Sequence, residues 1–239
     1  MSDGTSQNNG YPGDPILDQL VPNHVTYDAA RFDIEFTCEG AAEVSVLYTF
    51  WSEKYNEYVY SDYNDVMALF LNGTDITDNI AVVPGFCSTG GIPVAIDNVN
   101  CDNPYGGPNG VNCDCYINND LDDGGGSIDT EMDGGTFVFF AEGALVAGVN
   151  TLTIAIADAG DYVLDSNVFI QCGTLVCEQP PAFGACCDDT TCYIATQQNC
   201  EDAGHDYQGD DTDCGPPNPC VEPTPTEGST WGRIKSIYR

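Results

Sequence analysis

The sequence predicts an all-β protein: an antiparallel β-sandwich or jelly-roll-like domain with a small disulfide-rich C-terminal module. Three observations carry that expectation. Short apolar runs alternate with period two between residues 31 and 172, the pattern of strands that bury one face. Gly, Asn and Asp cluster between those runs, as turns between short strands require. Six of the thirteen cysteines fall within residues 186–220, where there is almost no apolar run. That stretch must rely on cross-links in place of a core.

The elements follow in order. Residues 1–14 are rich in Gly, Asn, Ser and Asp and are expected to be flexible. The sandwich is expected over residues 15–177. Its first strand is Arg31–Cys38, with Phe32, Ile34 and Phe36 on one side, and its second alternates through Val44, Val46, Tyr48 and Phe50. Val66–Leu71 is a short apolar run that ends at Asn72-Gly73, a strong turn signal. Thr136–Ala141, Thr151–Ala157 and Asn167–Cys172 complete the strands. In Thr151–Ala157, Leu152, Ile154 and Ile156 alternate with small residues. No amphipathic helix is expected here. Residues 98–130 form an insertion rich in Asn, Asp and Gly that carries Cys101, Cys113 and Cys115; a loop of that length is usually functional or mobile. The Cys-rich module is expected at 178–221. Residues 222–239 form a Pro/Thr linker and a tail that holds three of the five basic residues, an asymmetry that suits a sorting or docking peptide.

The chain has 38 acidic against 5 basic residues, a formal charge of −33. A polyanion partner would be repelled, so nucleic acid is excluded. The charge also opposes compaction, and bound cations, salt or a basic partner would offset it. Thirteen cysteines and two histidines, His24 and His205, indicate a disulfide framework formed in an oxidising compartment. No stretch has the roughly 20 apolar residues a membrane helix needs. The N-terminus has no apolar signal-peptide core, so an exported protein is expected to have lost its true start.

Three chemistries suit such a composition. Calcium takes six to eight hard oxygen ligands, and acidic clusters are plentiful. Glu53, Glu57, Asp65, Asp133, Asp158, Asp161 and Asp165 are the expected ligands. The loop from Asp120 fails as an EF-hand, because Gly124 stands at the fifth position. Catalysis is not expected: there is no Gly-x-Ser-x-Gly elbow, zincin motif or Walker loop. Trp51, Tyr55, Tyr58, Tyr60 and Tyr63 could stack on sugars or fill a core, and core packing is the expectation.

Ordered blocks add a resemblance. Gly13-Asp14-Pro15-Ile16-Leu17-Asp18, Thr26–Ala30, Ser52–Val59, Tyr63–Val66, Asn79–Gly85, Val94–Asn100, Asp133–Phe137, Ile154–Asp161 and Leu164-Asp165-Ser166 together resemble the choice-of-anchor L domain over residues 12–176. The resemblance implies a secreted or cell-surface bacterial protein with a C-terminal sorting element, for which residues 231–239 are the candidate. Lys54 stands where the family typically has a second Glu, which weakens any metal site at that turn by one ligand. Gly184-Ala185-Cys186-Cys187 and Gln208–Cys214 are similar to a GACC-type Cys-rich module of secreted bacterial proteins. The expectation is a calcium-stabilised, non-catalytic module in adhesion or extracellular matrix or filament assembly, with a protein or glycan partner or self-association. The rival is a carbohydrate-binding accessory module.

Overall fold

The computed structural model describes residues 8–177, 182–215 and 217–221. The chain divides into two compact units, residues 1–180 and 181–239.

The first unit is a sandwich of two antiparallel sheets. One has the order β1-β7-β3, from β1 (Thr26–Thr37), β3 (Val66–Leu71) and β7 (Val149–Ala159). The other has the order β4-β5-β2-β6, from β2 (Glu43–Ser52), β4 (Tyr116–Asn118), β5 (Gly134–Thr136) and β6 (Phe139–Ala144), with β8 (Ser166–Ile170) also paired to β2. Val46, Tyr48 and Phe50 of β2 meet Met67 and Leu69 of β3 and Leu152 of β7 in the main core, with Ile34, Ile154, Ile156 and Val168 packed against it. These are the alternating residues of the sequence.

Strand β3 is buried on both faces. Its other face, Val66, Ala68 and Phe70, lies with Ala155, Ala157 and Ala159 under Leu17, Leu20 and Val21. The small residues of β7 therefore make room for the N-terminal segment. Residues 8–14, expected to be loose, are held in place. The Asp14 N–H donates to Thr26 Oγ1 at 2.8 Å, and its carboxylate pairs with Arg31 at 3.2 Å. The remainder of the expected flexible segment lies outside the described residues.

The strand expected at Thr136–Ala141 is two strands. Between them the ladder to β2 is carried by a side chain, with Phe50 N–H donating to Thr136 Oγ1 at 3.1 Å. The insertion is tied to the preceding segment by Cys87–Cys115 and cross-linked within itself by Cys101–Cys113, and Cys101, Cys115 and Tyr116 belong to the main core. Cys38–Cys177 closes the unit. Cys172 is exposed and free, which accounts for the odd count.

The second unit is a three-stranded sheet, order β10-β9-β11, from β9 (Phe183–Asp188), β10 (Thr191–Thr196) and β11 (Asp206–Tyr207), with one short helix, α1 (Gln197–Asp202). Its core cluster is Cys186, Ala195 and Cys200, against which Tyr193 and Tyr207 pack. So small a core depends on Cys186–Cys200, Cys187–Cys220 and Cys192–Cys214. The linker and basic tail expected at 222–239 lie outside the described residues.

Candidate functional site

The acidic and aromatic blocks meet at one end of the sandwich, in the turn after β2, the start of β3 and the turn after β7. The turn after β2 begins by folding onto itself, with the Lys54 N–H donating to Ser52 Oγ at 3.0 Å. This sends the Lys54 side chain inward, where it is fully buried. Its ammonium donates to Asp65 Oδ1 at 2.8 Å and to Asp161 Oδ1 at 2.7 Å. It also lies 5.1 Å from the centroid of the Tyr63 ring, a cation–π contact.

Asp65 is fixed by further donors. The Ala159 N–H reaches Oδ1 at 2.9 Å and the Ser166 hydroxyl reaches Oδ2 at 2.7 Å. Asp161 is looser: besides Lys54, the Val163 N–H donates to Oδ1 at 3.3 Å. Glu53 is buried and clasps the next turn, its N–H donating to the Asp165 carbonyl at 3.1 Å and its Oε2 accepting the Asp165 N–H at 3.1 Å.

The electrostatics follow from one ammonium facing several carboxylates. Burial pulls the Lys54 pKa down, but Asp65 and Asp161 outweigh it and the net shift is upward. Burial raises Asp65, against the lowering effect of Lys54, the Ala159 N–H and the Ser166 hydroxyl. Asp158, opposite Tyr27 in the β1–β7 register, is raised to about 8 by burial and then by the charge of Asp65, with Asp165 adding to it. The cluster thus retains a proton near neutral pH, as crowded carboxylates do.

Of the seven expected ligands, the structure brings five into this region: Glu53, Asp65, Asp158, Asp161 and Asp165. Asp133 is buried at the edge of β5, its N–H on the Ser52 carbonyl at 3.2 Å. Glu57 is exposed. Partial desolvation of its carboxyl by the surrounding turn and then the charges of Asp120, Asp123 and Asp122 raise its pKa, against a backbone hydrogen bond. Among the described residues, no group of three or more His, Cys, Asp or Glu is arranged to hold a metal ion. Lys54, read from sequence as a missing ligand, is the cation at the centre of the cluster. The signal was there: a lone basic residue among aromatics in a chain with five.

The aromatic run is mostly interior. Tyr55 is fully buried and tilted against Tyr116 at 4.9 Å, and Trp51 is buried with its Nε1 donating to Thr49 Oγ1 at 2.8 Å. Tyr58 and Tyr63 meet edge-on at 5.4 Å. Tyr60 is the exposed member, and its hydroxyl donates to the Asn109 carbonyl at 2.6 Å. The run packs the turn and offers no continuous stacking face. His205 sits in the second unit, its Nδ1 2.6 Å from the Tyr193 hydroxyl.

Among the described residues, no helix is long and apolar enough to cross a membrane. No curated protein and no solved structure matches the chain. The model of the choice-of-anchor L domain matches residues 1–176, the span that builds the sandwich and gathers the Lys54 cluster. The chain belongs to the choice-of-anchor L domain family, a family of cell-surface β-sandwich modules.

Proposed function

We propose that this chain is an exported, non-catalytic surface module that acts in adhesion or in assembly of an extracellular matrix or filament. The observation that carries this reading is the fully buried Lys54 bonded to Asp65 and Asp161. This cluster is spent on internal charge pairing, which suits bracing of the two turns. In this reading the Lys54 ammonium, and not calcium, balances the charge of Asp65 and Asp161. Six disulfides suit an oxidising, extracellular setting. Residues 231–239 are the candidate sorting element in this reading.

The experiment is display of the chain on a non-adherent bacterial cell, followed by measurement of surface attachment and cell–cell aggregation. A gain in either, lost on soluble competition with the purified chain, is expected. No gain, together with selective binding on a glycan array, would replace this reading with the carbohydrate-binding one.

A further inference from the structure

The Lys54 cluster holds a nucleophile, an electrophile and a proton relay in one dry place. We propose that Lys54 and Asp161 condense into an intramolecular amide, a covalent link between the turn after β2 and the turn after β7.

The geometry supplies each requirement. Lys54 Nζ lies 2.7 Å from Asp161 Oδ1, so the carboxyl carbon is one bond beyond an atom already in contact. Both side chains belong to short turns anchored by strands, so the encounter is intramolecular and held. Such positioning is equivalent to a very high local concentration of the reacting group. Asp65 Oδ1 lies 2.8 Å from the same nitrogen and is held there by the Ala159 N–H and the Ser166 hydroxyl. It is therefore a fixed base for the ammonium proton and a fixed acid for the departing oxygen. Burial favours neutral forms over ions. It raises Asp65 toward the protonated acid; the net shift of Lys54 is upward, so the amine is freed only as its proton passes to the Asp65 carboxylate in contact with it.

The same contacts select between the two carboxylates. Asp65 has both oxygens engaged by three donors. Asp161 has one other contact, at 3.3 Å, and its side chain is 26% exposed. Asp161 can turn its carbon toward the amine, and the water formed there has a way out.

The step balances. The ammonium passes a proton to Asp65, and the nitrogen lone pair forms a C–N bond with the Asp161 carboxyl carbon. One C–O bond then breaks. Of the three ammonium protons, two leave on that oxygen as water and one stays on the amide nitrogen. Asp65 is regenerated, and no oxidant or other reactant is consumed. Residues 107 apart in sequence become joined, and a charged pair inside the protein becomes a neutral amide. For a module that bears load at a cell surface, the link would tie one sheet to the other.

The test uses the full chain, reduced, alkylated and weighed intact. The expected mass is lower by one water, about 18 Da. Trypsin should fail to cut after Lys54, so the peptide spanning residues 32–54 should be missing, and fragmentation should place the branch at Asp161. Lys54→Arg keeps a cation but cannot form the amide, and Asp161→Ala removes the electrophile. Both should restore the full mass, and Asp65→Asn should leave conversion incomplete. A wild-type chain of full mass that releases peptide 32–54 would overturn the proposal, as would a branch at Asp65. Either result would leave the ionic cluster and the surface role standing, since neither depends on the amide.

Discussion

Replacing Lys54 with Met keeps the length and apolar stem of the side chain and removes its nitrogen. Relative to the ionic form of the cluster, Asp65, fully buried, then faces Asp158 and Asp161 with the Lys54 ammonium gone. Breaking a buried pair by removing one partner costs about 3–5 kcal/mol, because an uncompensated charge remains. For a chain of this size that corresponds to a melting temperature lower by roughly 10 °C. The deficit should depend on pH in a defined direction. With no ammonium beside it, Asp65 has a folded-state pKa further above its unfolded value. The stability of such a raised carboxyl is fully present below the unfolded pKa and is lost as pH rises through the folded one. The variant should therefore lag the wild type most near pH 8 and least near pH 4. Urea denaturation of oxidised protein at fixed ionic strength measures this, and added salt should restore little, since buried charges are weakly screened. A deficit below about 1 kcal/mol, the range of a surface pair, or one that does not change with pH, would refute the reasoning.

Further outcomes are expected. Asp158, raised to about 8, makes the wild type lose stability as pH climbs from about 4 through 8, by the same linkage; Asp158→Asn should flatten that slope in parallel urea titrations. Gly135→Ala should lower stability by about 1–3 kcal/mol, because a Cβ there meets the Trp51 ring and the Phe50 carbonyl, and chemical denaturation reads it. Paired Cys38→Ala and Cys177→Ala substitutions open a link between residues 139 apart and should cost about 2–5 kcal/mol, read as a shift of the thermal midpoint. A thiol reagent should find one reactive cysteine per native chain, Cys172, and Cys172→Ser should abolish the signal.

The strands were legible because one-sided burial writes period two directly into the sequence, as Val46, Tyr48 and Phe50 of β2 show. Two-sided burial is harder to read. In β7 the alanines that alternate with Ile154 and Ile156, Ala155 and Ala157, make room for Leu17 and Leu20, and their small size alone does not announce a second buried face. The break between β5 and β6 was invisible, because it depends on the Thr136 hydroxyl replacing a backbone acceptor. Five of the seven carboxylates named from the acidic blocks lie together at one end of the sandwich. What the chain alone did not reveal was the sign of the central partner. A lysine between acids reads as a lost ligand until its side chain is known to turn inward, and that direction is set by the Lys54 N–H on Ser52 Oγ.

The central claim is that the Lys54 nitrogen, whether as the ammonium or as its amide with Asp161, satisfies this cluster from within the protein. The most direct measurement is a thermal melt of oxidised protein at constant ionic strength, with calcium titrated against chelator. A ligand that binds only the native state stabilises by about 2.7 kcal/mol at a hundredfold excess over its Kd. The account predicts the same midpoint in calcium, in matched sodium and in chelator. A midpoint that climbs with calcium alone, and no longer does so in Asp65→Asn or Asp161→Asn, would contradict it and return the cluster to a metal.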